Sequence, residues 1–390
     1  MFKFIQKLRG AYMSQAPKLN KNQKFSTNMA SAHELMLLGK QGKKGNQSVA
    51  RYALPAFNVT TYQGIDAAVD AFQTLGASGI VAFSNSALKH FGNGDAIKGL
   101  ARASEHVKML AKEGNVKIAT HLDHGDYLSD SGKKVVDAAI ECLTSVMADN
   151  STDHKNETHT PLEVNIEATR AVVDKAHAKG VSVEGELGVL AGVEDEDTQS
   201  EVSTYTDPEE LKDFLTKTGV LMLAPTIGTM HGPNKGKPGQ KVKLNIELAN
   251  ECLKIADKIN SDIIFVAHGA STLYPNVIEY AVNQLKDMGT LAEATKKWNN
   301  FVGTDWDQIE GLIKAGFCKI NTDTENRQTY LAALLGAVKA GPATIDIRNF
   351  DKVTYKALYH SYLQKLIMAG NYGVWHEPKI DVKNFKFTLS

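Results

Sequence analysis

The chain is poor in cysteine. Its three cysteines, Cys142, Cys252 and Cys318, lie far apart and form no CxxC pair. That argues against a disulfide scaffold and a thiolate zinc site, and it fits a reducing compartment. Long apolar runs are missing too: none approaches the roughly 20 residues that span a bilayer. There is no excess charge. Lys+Arg and Asp+Glu stand at 44 each in 390 residues, so overall charge supports neither a nucleic-acid nor a membrane-surface role. Low-complexity tracts are absent. The first 33 residues lack any acid yet carry Lys3, Lys7, Arg9, Lys18, Lys21 and Lys24, and Phe2, Phe4, Ile5 and Leu8 can share one face of a short helix. Two readings stay open there: an organelle transit peptide, or a loosely packed extension on a cytoplasmic protein.

What is present is an alternation. Eight short apolar, β-branched runs recur: Tyr52–Val59, Gly79–Asn85, Lys117–Gly125, Ser145–Asn150, Val181–Gly188, Val220–Gly228, Ile263–Ser271 and Phe317–Thr324. Between them lie segments with helical spacing of apolar residues, among them Gln63–Leu75, Gly94–Glu113, Gly132–Leu143, Pro161–Lys179, Leu244–Ile259 and Asn326–Lys339. Strands alternating with helices imply βαβ units and a parallel sheet. Eight units imply a closed (β/α)8 TIM barrel of the α/β class, with its active site at the carboxyl ends of the strands. The expected organisation is an extension and leading helix over 1–50, the barrel over 51–340, and a helical tail over 341–390 with an amphipathic helix around Lys352–Met368. Two long connections, Leu190–Thr206 and Gly228–Lys243, follow strands and so fall on the catalytic rim. The second is rich in Gly, Pro and Lys and is expected to close over a bound phosphate.

The strand ends carry the chemistry. His124, His231 and His268 each sit at or just past a strand end and are each followed by Gly. Three protein ligands with one open position suit a catalytic zinc. Asp123 adjoins the first histidine and can orient a ligand, bind metal or exchange protons. Asp149 and Glu186 end adjacent strands and can hold a second cation, divalent or monovalent. His106, His154, His159 and His177 lack such a setting and are read as structural. The turns His268-Gly269-Ala270-Ser271 and Asn321-Thr322-Asp323-Thr324 end the seventh and eighth strands, a recurrent phosphate position in this barrel. Backbone amides there, with the hydroxyls of Ser271 and Thr324, suit an anion, and Lys235 adds positive charge.

These segments together resemble the zinc-dependent class II fructose-bisphosphate aldolases. The likeness runs from about Tyr52 to Arg327 through LPAFN, FSNSA, LDHG, SVMADNS, EGELG, GVED, YTDPEE, GTMHGPNK, VAHGAS and KINTDT. The resemblance implies an aldolase of glycolysis and gluconeogenesis, a homodimer, that cleaves fructose 1,6-bisphosphate reversibly to dihydroxyacetone phosphate and glyceraldehyde 3-phosphate. By it, His124, His231 and His268 bind Zn2+, Asp123 is the acid/base on the carbon-4 oxygen, and Glu194 assists proton movement beside the ketone. Asp149 and Glu186 take a second cation or an alternate zinc position. Asn321 contacts dihydroxyacetone phosphate; Gly232, Gly269, Ser271, Asp323 and Thr324 hold its phosphate; Asn58 and Ser84 contact the other half. Three departures matter. Ala270 stands where the family usually has a second small residue such as Gly. The run Glu194-Asp195-Glu196-Asp197 offers alternatives to Glu194. The arginine for the far phosphate has three candidates, Arg348, Lys356 and Arg327.

Other readings compete. A zinc aldolase for a related sugar such as tagatose 1,6-bisphosphate fits the same rim. A Schiff-base aldolase would use Lys319, on the eighth strand, as nucleophile. A metallohydrolase is disfavoured because the first strand has no histidine. A non-enzymatic metal-binding barrel would have no need of Asp123, Glu186 and Glu194.

Overall fold

The computed structural model describes residues 17–153, 158–188, 192–194, 198–200, 205–235, 241–287, 292–341 and 345–389. Eight parallel strands close into a barrel: β1 (Leu54–Asn58), β2 (Gly79–Phe83), β3 (Ile118–Leu122), β4 (Ser145–Ala148), β5 (Ser182–Leu187), β6 (Met222–Pro225), β7 (Ile264–Ala267) and β8 (Phe317–Thr322). Each pairs with the next, and β8 returns to β1, with Lys319 opposite Leu54 and Thr322 opposite Phe57. The TIM barrel expected from the alternation is therefore the observed fold. Every expected run contains its strand, trimmed by at most two residues at its start and by one to four at its end, where the chain leaves the ladder to form the rim.

The helices form the outer ring. They are α1 (Ala32–Lys40), α2 (Tyr62–Leu75), α3 (Asn85–Phe91), α4 (Ala96–Glu113), α5 (Asp130–Cys142), α6 (Leu162–Ala178), α7 (Pro208–Thr218), α8 (Ile246–Ile259), α9 (Pro275–Asp287), α10 (Ala292–Asn299), α11 (Trp306–Ala315), α12 (Thr324–Ala340) and α13 (Ile347–Met368). Their starts are written locally. Thr61, Ser84, Asp95, Ser129 and Asp207 each turn a side-chain oxygen onto an orphan backbone N–H of the first turn. Pro208 takes the first helical position of α7, where its missing N–H leaves no intrahelical bond unmade. Helices α3, α9 and α10 were not anticipated. α3 is only 7 residues long, and α9 and α10 fill the connection between β7 and α11.

Two apolar layers hold this together. The larger lies between strands and helices and includes Phe57, Phe72, Val81, Phe83, Phe214, Phe265 and Phe317. The smaller fills the lower barrel with Leu54, Ala56, Ile80, Ala82, Ala119, Met222, Ala224, Ile264 and Val266. Helix α1 seals that end, burying Ala32, Leu35 and Met36 against the strand starts, with Ser31 accepting from the Glu34 N–H. The apolar filling thus stops below the rim, and the upper barrel is left to polar side chains.

The C-terminal segment packs onto the barrel. Tyr362 of α13 packs against Phe57 with ring centroids 4.2 Å apart and planes tilted by 32°. After α13 the chain returns to the β1–α2–β2 unit, where the Gly373 and Val374 N–H groups donate to the Leu75 and Gly76 carbonyls at 2.8 Å. α13 begins at Ile347, five residues before the expected Lys352, because Asp346 caps it by accepting from the Arg348 N–H. Among the described residues, no helix is long and apolar enough to cross a membrane.

The plug can be tested. Leu35 is fully buried, and Leu35→Ala should cost about 2–5 kcal/mol by lost burial and cavity formation. Urea unfolding followed by circular dichroism measures it. A loss below about 1 kcal/mol would mean that α1 does not hold the barrel floor.

Candidate metal centre and active site

Three imidazoles meet above the barrel. Ring centroids of His124 and His268 are 4.7 Å apart, those of His124 and His231 5.1 Å, and those of His231 and His268 6.0 Å. One nitrogen from each lies within 4.8 Å of the others, close enough to hold a metal ion. Each reaches that point from a different connection: His124 follows β3, His231 lies in the β6–α8 loop, and His268 follows β7. Two structural features aim them. His124 has φ of +50°, in the left-handed region that non-glycine residues seldom occupy, and such strain gathers at functional sites. Gly269 has φ of +59°, and a Cβ there would sit 2.5 Å from the Met230 carbonyl oxygen, so only glycine lets the β6 loop close against the end of β7.

Below the imidazoles runs a chain of buried charges. Glu184, Lys319 and His121 are all fully buried. Lys319 donates to Glu184 at 2.7 Å and to the Nε2 of His121 at 3.1 Å. Burial, with Lys319 alongside, pushes His121 down to about 3, so its ring is neutral. Because an ammonium only donates, His121 Nε2 accepts, and its Nδ1–H is left to donate to Ser145 Oγ at 2.8 Å. The other Glu184 oxygen lies 2.8 Å from His268 Nε2. Burial alone would raise the pKa of Glu184, but Lys319 and His268 outweigh it and hold the carboxyl below the usual range. An ionised carboxylate only accepts, so His268 carries its proton on Nε2, and the Asn321 amide 3.1 Å from that nitrogen is left to donate to Asp123. Its Nδ1, buried and with no hydrogen-bond partner, presents a lone pair to the cluster. A carboxylate that fixes the tautomer of a metal-binding histidine is the usual second layer of such a site. The donor set therefore fits a divalent metal.

Asp149 and Glu186 flank the same point. Asp149 lies 2.8 Å from His124 Nδ1, and Glu186 lies 3.4 Å from His268 Nδ1. With His124 they form a second group able to hold a cation.

Asp123 stands between metal cluster and cavity. Asn58 Nδ2 donates to one of its oxygens at 2.7 Å and Asn321 Nδ2 to the other at 2.9 Å. Burial would raise its pKa, but His124 and His268 when protonated, and the ammonium of Lys319, hold the carboxyl well below its ordinary value. It is ionised at neutral pH and aimed by two amides.

A cavity of about 330 Å³ opens over this arrangement. Asn58, Ser84, Asp123, His124, His231 and Asn321 line its metal-facing side. Gly232, Lys235, Gly269, Ser271, Asp323 and Thr324 line its other end, where backbone amides and hydroxyls suit an anion. Ser271 Oγ accepts from the Asp323 N–H at 3.4 Å, which draws the two turns together. Lys235 is buried and donates to the Gly269 carbonyl. The remaining wall is Pro233, Lys297, Trp298, Phe301, Arg327, Gln328 and Leu331, most of which no motif announced. Of the three candidates for a far phosphate, Arg327 lines the cavity, whereas Arg348 pairs with Asp346 on the exposed start of α13 and, like Lys356, does not. Lys319 is not on the cavity surface either.

Glu194 ends the short strand Gly192–Glu194, which pairs with Thr198–Ser200. Its side chain, and Asp195, Glu196 and Asp197, lie outside the described residues, as do His154 and the loop from 236 to 240. Of the other histidines read as structural, His106 lies 2.6 Å from Asp66, His177 lies 2.9 Å from the Pro17 carbonyl, and His159 lies in a short strand opposite Thr152.

Comparison with known proteins decides the family. The description "Fructose-bisphosphate aldolase class-II" matches residues 46–373. The chain belongs to the class II fructose-bisphosphate aldolase family. It is thereby an enzyme, a carbon–carbon lyase. The fructose-bisphosphate aldolase of Treponema pallidum is 33% identical over 329 residues, covering 82% of this chain and 90% of that one. That of Thermus caldophilus is 32% identical over 323 residues, covering 83% and 94%. Among solved structures, the fructose-bisphosphate aldolase of Campylobacter jejuni superposes with a TM-score of 0.64 at 20% identity, covering 92% of this chain and all of that one. At that identity the likeness speaks for the fold alone.

The Glu184 relay yields a prediction. Glu184→Gln keeps the shape but removes the charge that fixes His268 and balances Lys319. Metal affinity should fall by about 10–100-fold, and stability by about 3–5 kcal/mol because Lys319 is left buried without its counter-charge. Zinc titration against a competing chelator measures the first and thermal unfolding the second. Unchanged zinc affinity would remove Glu184 from the account.

Proposed function

We propose that this aldolase cleaves fructose 1,6-bisphosphate reversibly to dihydroxyacetone phosphate and glyceraldehyde 3-phosphate, in glycolysis and gluconeogenesis. The observation that carries the reading is Asp123: an ionised carboxylate held by Asn58 and Asn321 beside three convergent imidazoles, at the floor of a cavity with a phosphate-like end. His124, His231 and His268 would hold a zinc ion, which when bound supplies Lewis-acid polarisation of the substrate ketone. Asp149 and Glu186 would serve an alternate zinc position or a second cation.

The chain's own residues do the rest. Gly232, Gly269, Ser271, Asp323 and Thr324 hold the phosphate on carbon 1 with backbone amides and hydroxyls, and Lys235 offsets its charge. Asn321 orients the ketone end. Asp123 takes the proton from the carbon-4 hydroxyl as the bond between carbons 3 and 4 breaks. The electron pair of that bond passes to carbon 3 as an enediolate, and Glu194 serves the proton transfer that converts it to the ketone. Asn58 and Ser84 contact the aldehyde half. Arg327 and Lys297 bring positive charge to the wall where the far phosphate would lie. Tagatose 1,6-bisphosphate differs only in configuration at carbon 4, so it is the substrate to compare.

The seclusion of Lys319 favours this reading over a Schiff base. Its ammonium is fully buried and already engaged by Glu184 and His121, with no route to a ketone in the cavity.

Two outcomes are expected. A chelator should abolish cleavage and zinc or cobalt should restore it, while borohydride with dihydroxyacetone phosphate should label nothing. Chelator-resistant activity with label on Lys319 would overturn the mechanism. Asp123→Asn should retain zinc but lose about 10²–10⁴ in kcat. Loss of zinc in proportion to activity would make Asp123 a ligand rather than the base.

A further inference from the structure

The C-terminal helix sends one charged side chain beneath the phosphate-like end of the cavity. Lys365 of α13 is 1% exposed. Its ammonium lies 2.9 Å from Glu325 Oε1, a carboxylate equally buried, and it donates to Thr272 Oγ1. The rings of Tyr274 and Trp306 wall it at 5.4 and 5.6 Å. No hydrogen bond satisfies the Glu325 carboxylate, so Lys365 is its principal compensation. The positions of the two partners give the contact its meaning. Thr272 follows Ser271 in the turn after β7, and Glu325 follows Thr324 in the first turn of α12, directly after the turn that ends β8. One ammonium therefore grips both turns whose backbone and hydroxyls face the phosphate.

The rest of that end is braced in the same way. The Thr304 N–H donates to the Ser271 carbonyl at 3.0 Å, and its hydroxyl donates to the Gly269 carbonyl at 2.9 Å, which also receives Lys235. Lys235 responds to the buried pair as well. Burial pushes its ammonium down to about 7, Glu325 opposes that shift and Lys365 adds to it.

A buried ion pair is a poor means of adding stability, since apolar replacements often do as well. What it does supply is a fixed distance between the groups it joins. We propose that Lys365 is a positioning residue for phosphate binding, a strut from the C-terminal helix that sets the separation of the β7 and β8 turns through Thr272 and Glu325. This rests on the reading that those two turns bind the carbon-1 phosphate. It makes the C-terminal helix part of the active site although it contributes no group to the reacting atoms.

The test uses the full-length zinc enzyme with Lys365→Met and with the double variant Lys365→Met/Glu325→Gln, which leaves no unpaired buried charge. KM for fructose 1,6-bisphosphate and the Kd for dihydroxyacetone phosphate, by calorimetry, should rise about tenfold in both, the scale of one lost charged hydrogen bond. kcat and zinc content should stay within about twofold, and the double variant should regain the Tm lost by the single one. A purely structural pair would recover both Tm and affinity in the double variant, and that result overturns the proposal. So does a fall in kcat and zinc content without a rise in Kd. If the wild type cleaves neither sugar bisphosphate, the calorimetry still decides: weaker dihydroxyacetone phosphate binding in the variants upholds the strut while rejecting the substrate. A wild type that binds no dihydroxyacetone phosphate overturns both.

Discussion

The buried contact between Lys319 and Glu184 governs the upper barrel. Two opposite charges 2.7 Å apart, fully shielded from water, must each be satisfied completely. Glu184 meets that demand by taking Lys319 on one oxygen and His268 on the other, and Lys319 by taking His121 as its further acceptor. Each contact fixes a protonation state: His121 neutral with its proton on Nδ1, His268 with its proton on Nε2. The lone pair of His268 Nδ1 then faces the cluster it forms with His124 and His231, with Glu186 alongside. The geometry of the imidazole cluster is thus set one layer below it, by side chains that never reach the cavity. Asp123, charged and held by two amides, is the same principle at the cavity surface.

The barrel divides its labour along its axis. Its lower half is sealed by α1 and filled with Ala, Leu, Ile, Val and Met. Its upper half holds charges that would be intolerable without mutual compensation. Their desolvation is made bearable by the rigidity of eight strands that deliver each partner to a fixed place. Loops finish the site: the turns after β7 and β8 line one end of the cavity, and the C-terminal helix reaches beneath them.

Much of this was legible in the sequence because barrels have a simple grammar. Strand-like runs alternating with helical ones dictated the fold, and polar residues at strand ends dictated the face that carries chemistry. The three His-Gly pairs converge as their positions implied. The buried relay escaped notice for a physical reason. Glu184 and Glu186 lie two apart on β5, and His121 and Asp123 two apart across the end of β3, so strand periodicity puts each pair on the same inward face. That signal was present, but the sequence does not say that Lys319 lies opposite them across the barrel. The β7–β8 ladder passes from Phe265–Phe317 to Val266–Lys319, skipping Cys318, and no spacing rule foretells that irregularity. Lys319, readable as a nucleophile from its strand position, is instead the counter-charge of the relay. The cavity wall from Lys297, Trp298 and Gln328 was equally silent, since it depends on how α10 and α12 fold over the rim. The candidacy of Arg348 for the far phosphate could not be settled by motif, because its place at an exposed helix start beside Asp346 is a tertiary fact.

The most direct test of this account is the identity of the nitrogen that His268 gives to the metal. Anomalous diffraction at the zinc edge, from crystals of the zinc-loaded protein, locates the ion against the three rings. The account predicts one peak bound by His124, His231 and His268, with His268 Nδ1 about 2.0–2.1 Å away and Nε2 still on Glu184. A zinc ion bound through His268 Nε2, with Glu184 turned aside, would contradict it, as would a peak remote from the three histidines.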